Sequence, residues 1–284
     1  MIKQVELYEN VSFYLSRDVT KKYSTSFYSA SLLFSSEIRL AIWGIYGFVR
    51  LADEIVDTFK DFDQKKLLDN FEKDYYTAME QGISLNPILN AFQKTVKRYE
   101  IPDEYIQSFL TSMRNDLVKK DYNDAQETAS YIYGSADVVG LMCLKVFCSN
   151  DEKLFLELKQ PAMKLGSAFQ KVNFLRDLQI DLEVLGRTYF PQIVGKRLEE
   201  TAKQEIITDI RADFQEARLG LLKLPNGARL GVSVAYDYYL TLLRKIERTP
   251  ANEMLKKRIR VPNRIKLLIL VKAYLKQKLN FMEK

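Results

Sequence analysis

Eleven segments of this chain repeat apolar residues with helical period, near residues 4–20, 25–34, 37–58, 64–81, 86–99, 102–120, 124–149, 151–183, 198–223, 226–248 and 262–280. No stretch alternates convincingly with period two, so no sheet is expected. Punctuation agrees with this: 284 residues contain only 11 Gly and 7 Pro, and the prolines sit mostly near expected helix starts or in connections. With no low-complexity linker and no obvious repeat, residues 1–284 are expected to form a single all-α domain with a sizeable core.

Two segments are apolar beyond what a surface helix needs. Leu40 to Val49, LAIWGIYGFV, is apolar on every face and suits a helix surrounded by others. Tyr131 to Phe147 mixes large side chains with Gly134, Ser135, Ala136 and Gly140, leaving room for a neighbouring helix or a long apolar ligand.

A hydrophobic fraction of 47% with 28% charged residues describes a soluble globular chain. The amino terminus lacks the apolar stretch of a signal peptide, and no segment reaches 18 consecutive apolar residues. A cytoplasmic protein without membrane spans is expected. Cys143 and Cys148 stand in an apolar run and are expected to be core thiols of a reducing compartment. The absence of histidine excludes His-based triads, His metal ligands and imidazole acid–base chemistry.

The charge is uneven. Lys256 to Lys284 carries ten Lys or Arg against one acid, net +9, which leaves −3 for the rest of a chain of net +6. That tail mixes basic and apolar residues. It suits either peripheral contact with an anionic bilayer or a last helix packed on the bundle with its charges in water. A nucleic-acid partner is not expected, because the basic residues cluster in one terminal segment and match no recognised motif.

The chemistry concentrates in two acidic helix faces. In Leu165 to Pro191, LGSAFQKVNFLRDLQIDLEVLGRTYFP, the residues Asn173, Asp177 and Asp181 follow at four-residue steps. At about 100° per residue they share a face roughly 80° wide with Gln170. Upstream, RLADEIVD places Asp53 and Asp57 four apart with Arg50 on the same face. Mg²⁺ takes hard oxygen ligands, commonly one or two carboxylates plus phosphate oxygens and water. Two such faces meeting across a cavity would hold Mg²⁺ and, through it, a diphosphate. Arg50, Arg176, Arg187 and the basic residues from Arg258 onward would neutralise the remaining charge. The set suits ionisation of an allylic diphosphate in an apolar, water-poor chamber.

Acid pairs four apart are also common on solvated helix faces, as Asp61, Asp63 and Asp69 among lysines illustrate. The pair Asp177 and Asp181 differs because Gln170, Asn173 and Arg176 accompany it on a largely apolar helix. The 33 Tyr and Phe residues are more often core than partners of a carbocation.

These residues resemble the squalene and phytoene synthase family, which joins two prenyl diphosphates head to head. LGSAFQKVNFLRDLQID, a spacer and RTYFP match its second aspartate signature, and RLADEIVD after IYGFV matches the first. YSTSFYSAS, SMRNDL, YGSADVVGLM and RIRVPN follow family segments in order, so the likeness covers nearly the whole chain.

The resemblance implies an isoprenoid-synthase helical bundle with a central cavity. It implies Asp53, Asp57, Asn173, Asp177 and Asp181 as Mg²⁺ ligands, with Mn²⁺ as the alternative ion. Ser24, Ser26, Arg50, Arg176, Tyr239 and Arg258 would contact diphosphates. Tyr131 and Gln170 would face the reaction chamber, and Ser135, Ala136 and Val139 would line a prenyl tunnel. Tyr23 and Thr25 depart from the His and Lys of some members, and Ile132 and Asp137 stand where a small residue is usual.

The wording of the motifs is similar to bacterial phytoene synthases. That implies phytoene from two geranylgeranyl diphosphates through a cyclopropylcarbinyl diphosphate, without NADPH, with downstream carotenoid enzymes as partners. The alternative is a C30 enzyme making squalene, dehydrosqualene or hydroxysqualene from farnesyl diphosphate. A third reading, from outside the enzymes, is an inactive homologue acting as an assembly factor. With no histidine, released diphosphate or a tyrosine is the expected proton acceptor.

Overall fold

A computed structural model describes residues 2–195, 198–256 and 258–282. Lys257, Glu283 and Lys284 of the basic tail lie outside the described residues. Those described form helices without a strand ladder: α1 (Ile2–Tyr23), α2 (Thr25–Ser31), α3 (Ser36–Asp57), α4 (Gln64–Gln81), α5 (Pro87–Arg98), α6 (Asp103–Asp116), α7 (Ala125–Ile132), α8 (Val138–Cys148), α9 (Glu152–Ile180), α10 (Glu200–Leu221), α11 (Asn226–Glu247), α12 (Ala251–Met254) and α13 (Asn263–Met282). The all-α expectation holds.

Local chemistry starts several of these helices. Asn86 accepts from the Ile88 and Leu89 amides ahead of Pro87, and Asp124 and Asp151 accept from amides in the first turns of α7 and α9. Asp63 caps α4, while Asp69 pairs with Lys65 and Arg114. Asp61 and Asp63 are exposed, the solvated setting that their lysine-rich stretch implied, and Asp63 and Asp69 serve the fold through these contacts.

α3 is the buried helix its sequence announced. Phe48 is fully enclosed and stacks on Phe92 with ring centroids 3.9 Å apart, with Phe71, Tyr75 and Phe109 around it. This packing fixes the body of the helix whose last two turns carry Asp53 and Asp57.

Two stretches expected as continuous helix contain an extra residue in one turn. The segment from Ala125 to Cys148 widens to a π turn at Tyr133–Asp137, closed by the Val138 amide on the Tyr133 carbonyl. α9 ends in a second π turn, Asp181–Leu185, closed by Gly186 on the Asp181 carbonyl. Such turns shift the register of the side chains that follow, a rotation that hydrophobic period does not reveal. Gly186 adopts φ +63° and reverses the chain toward Arg187. Ala125–Cys148 is long and apolar enough by composition to cross a membrane, yet most of its apolar window is buried within the bundle.

Pro161 is the exception to the expected proline positions, lying inside α9. An isolated parallel bridge, Asp121 to Thr188, ties the segment after α6 to the segment after the second π turn.

Candidate active site

A cavity of about 500 Å³ runs inside the bundle. Along α3 its wall is Ile42, Ile45 and Val49, followed by Arg50, Asp53 and Asp57. Along α9 it is Leu158, Ala162, Leu165 and Phe169, followed by Gln170, Asn173 and Asp177, with Asp181 just past its end. On both helices the apolar residues come first and the carboxylates last. At about 1.5 Å per residue, each helix therefore grades from hydrocarbon lining to acid over roughly 20 Å or more.

The two acidic ends converge. Arg187, nearly fully buried, donates Nη1 to Asp57 Oδ1 at 2.7 Å and Nη2 to the Asp116 carbonyl at 2.9 Å, with the Val56 carbonyl at 3.3 Å. Desolvation by the cavity walls pushes Asp53 up to about 8, with the Asp57 carboxylate adding to the effect and Arg50 opposing it. Burial likewise raises Asp181 to about 8, reinforced by Asp177 and then Asp57. That Asp57 acts on Asp181 means that the two motifs face each other. Carboxylates outnumber the cations available to them, and such a site holds protons until another positive charge arrives.

The cations present are already engaged. Asp177 is gripped by two guanidinium groups, Arg176 through Nε at 3.0 Å and Nη2, and Arg258 through Nε at 2.6 Å and Nη2 at 3.2 Å. Arg50 pairs with Glu54, stands 4.0 Å from Asp53 and lies 4.3 Å from the centroid of the Tyr23 ring. Among the described residues, no three acidic, Cys or His side chains converge closely enough to hold an ion unaided. The hard-oxygen donors at this end of the cavity fit Mg²⁺ sites completed by ligand oxygens.

Most residues expected at the site line this cavity: Ser24, Arg50, Asp53, Asp57, Tyr131, Ser135, Ala136, Val139, Gln170, Asn173, Arg176, Asp177, Asp181, Tyr239 and Arg258. Tyr239 stacks on Phe169 at 3.9 Å and donates to Asn173 Oδ1 at 3.3 Å. Ser24 accepts from the Phe27 amide as the cap of α2, so part of its hydrogen-bonding capacity is used within the fold.

Two expectations need correction, and the departures at Asp137 and Ile132 find their place. Ser26 does not line the cavity; it lies within α2, where its carbonyl accepts from Ser29. Arg187 is no free arm for a diphosphate, because Asp57, Asp116 and the Val56 carbonyl already occupy it. Asp137 turns away from the chamber to accept from Ser167 Oγ at 2.7 Å, and Ile132 is buried in the core. Neither alters the cavity surface.

Sequence reasoning missed several lining residues. Asp116 accepts from the Tyr131 hydroxyl at 2.8 Å, and burial pushes it up to about 7. Its position in SMRNDL gave no helical partner to signal it. Tyr131, Phe174 and Tyr189 form a ring stack beside it, with Phe174 and Tyr189 4.0 Å apart and 9° from parallel. Only Tyr131 of these three was expected to face the chamber.

Comparison with known proteins gives a consistent picture. A family model described as squalene/phytoene synthase matches residues 20–264. Phytoene synthase 1 of Zea mays, a chloroplast protein, is 30% identical over 284 residues, covering 90% of this chain and 66% of its own length. Phytoene synthase of Arthrospira platensis is 27% identical over 291 residues, covering 93% of each. This chain thus spans about two-thirds of the plant relative and nearly all of the cyanobacterial one. Among solved structures, a dehydrosqualene synthase in complex with a ligand superposes with a TM-score of 0.79 at 20% identity, over 95% of this chain and 98% of that one. The fold is therefore shared with that structure, and by the extent of the sequence match this chain belongs to the squalene/phytoene synthase family.

Proposed function

We propose that this chain joins two molecules of geranylgeranyl diphosphate head to head to give phytoene, through a cyclopropylcarbinyl diphosphate. The observation that carries this reading is a cavity graded from hydrocarbon lining to two facing aspartate motifs, which fits the two halves of a prenyl diphosphate. Full-length similarity to a protein named phytoene synthase supports the C40 product. The C30 alternative, from farnesyl diphosphate, draws on fold similarity to a dehydrosqualene synthase at an identity too low to carry substrate choice.

Asp53, Asp57, Asn173, Asp177 and Asp181 would hold Mg²⁺ or Mn²⁺, which when bound supplies positive charge to the departing diphosphate. Arg176 and Arg258, released from Asp177, would turn to diphosphate oxygens, and Arg50 and Tyr239 line the same end. The faces of Tyr131, Phe174 and Tyr189 offer π-electron density to a carbocation, and the aliphatic walls keep water away from it. No NADPH is expected for phytoene. Further proposals are a cytoplasmic location, peripheral contact of the basic tail with an anionic bilayer, and hand-over of product to downstream carotenoid enzymes.

The test is product analysis of purified protein with Mg²⁺ and either farnesyl or geranylgeranyl diphosphate, each with and without NADPH. Phytoene from the C20 substrate without NADPH is the expected result. A C30 product from farnesyl diphosphate moves the reading to the alternative, and no product from either substrate supports an inactive assembly homologue.

A further inference from the structure

Asp116 stands apart from the other carboxylates of the cavity. Its Oδ2 accepts from the Tyr131 hydroxyl at 2.8 Å and lies 3.9 Å from Arg187 Nη1. Its Oδ1 is buried and has no hydrogen-bond partner, although the residue lines the cavity. A buried carboxylate oxygen left unmatched costs stability, and an unmatched group of this kind calls for a functional account. Asp116 belongs to neither aspartate motif. It sits beside the ring stack of Tyr131, Tyr189 and Phe174, the part of the chamber suited to a carbocation.

We infer that Asp116 is the proton acceptor that ends the reaction, its free Oδ1 taking the proton whose loss creates the central double bond. The inference rests on the function proposed above. In the step, a C–H bond on the carbon next to the cationic centre breaks. Its electron pair becomes the new π bond and cancels the charge, while the proton forms an O–H bond on Asp116. The resulting carboxylic acid then yields its proton to the released diphosphate, which restores the carboxylate. Tyr131 and Arg187 fix Oδ2, so Oδ1 is the oxygen left to act. Burial raises this carboxyl to about 7, which makes it a better base than an exposed aspartate. The assignment differs from the expectation that, without histidine, released diphosphate or a tyrosine takes the proton.

The experiment follows the fate of consumed substrate in wild type and in Asp116→Asn, which keeps an oxygen to accept from Tyr131 and removes the base. Purified full-length protein, Mg²⁺ and geranylgeranyl diphosphate are used, and products are resolved into triene, cyclopropylcarbinyl diphosphate and water-quenched alcohols. The fraction ending as triene should fall by about a hundredfold, with the diphosphate intermediate and alcohols taking its place. In Asp116→Ala, formate should restore triene fraction, while it does nothing for Asp177→Ala. An unchanged triene fraction in the Asn variant overturns the inference. So does a uniform fall of all products with a raised Mg²⁺ requirement, which would make Asp116 a metal ligand, and so does failure of formate to rescue the Ala variant. If wild type forms neither the intermediate nor a triene, the proposed function itself fails, whatever the variants do.

Discussion

Arg187 and Asp57 are 130 residues apart in sequence and 2.7 Å apart in the fold, and through this contact the tail of the second aspartate motif is bonded to the end of the first. The same guanidinium holds two backbone carbonyls, Val56 and Asp116. Removing it by Arg187→Ala leaves Asp57 and Asp116 without their cation. The expected cost is about 3 kcal/mol, toward the lower end for a broken buried pair because Asp57 stays partly open to the cavity. Arg187→Lys should recover little of it, since one ammonium cannot reproduce the planar fork. Urea denaturation of the three proteins checks this, and a lysine variant as stable as wild type would contradict the strut role.

Asp177 keeps Arg176 and Arg258 paired while no ligand is bound. Asp177→Ala should therefore have two opposite effects. Turnover at saturating Mg²⁺ should vanish with loss of a metal ligand, while inorganic diphosphate should bind more tightly in EDTA, because two guanidinium groups are released to meet it. Calorimetric titration reads the second effect directly. Weaker metal-free binding than wild type would show that the carboxylate positions the arginines rather than occupying them.

The crowded carboxylates make stability depend on pH. An aspartate in the unfolded chain titrates near about 3.9, whereas Asp53 and Asp181 are pushed up to about 8 in the fold and Asp116 to about 7. Between those values the folded protein holds protons that the unfolded chain has released. Stability then falls as pH rises from about 4 to about 8. Melting temperatures in metal-free buffer should decline over that window, less steeply for Asp53→Asn. Mg²⁺ with inorganic diphosphate should recover more at pH 8 than at pH 5. Equal slopes for wild type and Asp53→Asn would rule out Asp53 as a source of the decline.

Asp137 offers the opposite expectation. Its carboxylate accepts from Ser167 behind the cavity wall, and burial raises it to about 6. Asp137→Ala should cost about 1–2 kcal/mol for the lost buried hydrogen bond while leaving the product profile intact. A changed product length, read by chromatography, would return Asp137 to the chamber surface.

How much of this was legible depends on the range of each interaction. The pairs Asp53 with Asp57 and Asp177 with Asp181 were visible because helical spacing alone puts them on one face, and the apolar body of α3 announced its burial. Contacts between distant segments left no local trace. Nothing near Arg187 in the sequence says that its partner is Asp57, and from the sequence it reads as a cation free to meet a diphosphate. Asp116 lacks an acidic companion at helical spacing, so nothing in its surroundings marks it. The π turn at Tyr133–Asp137 has the composition of ordinary helix, so nothing in the sequence marks its extra residue. Ser135, Ala136 and Val139 line the cavity, while Asp137 does not.

The basic tail yields a last prediction. On α13, Ile269 and Ala273 pack toward Val234, Tyr238 and Ala30, whereas Leu267, Leu268, Val271, Tyr274 and Leu275 remain exposed beside Arg264 and Lys272. A helix packed on the bundle needs only its inner face to be apolar, so an apolar outer face flanked by cations suits an anionic lipid surface, where hydrocarbon burial and charge act together. Vesicles with phosphatidylserine should float with the protein, those of phosphatidylcholine alone should not, and raised salt should weaken the binding. Arg264→Gln with Lys272→Gln should weaken vesicle affinity about thirtyfold, at ~1 kcal/mol per cation. Leu267→Ser with Leu268→Ser should weaken binding even at low salt, because charge alone cannot replace the buried hydrocarbon. Flotation insensitive to all four changes would leave α13 as a packed helix whose outer face has no bilayer role.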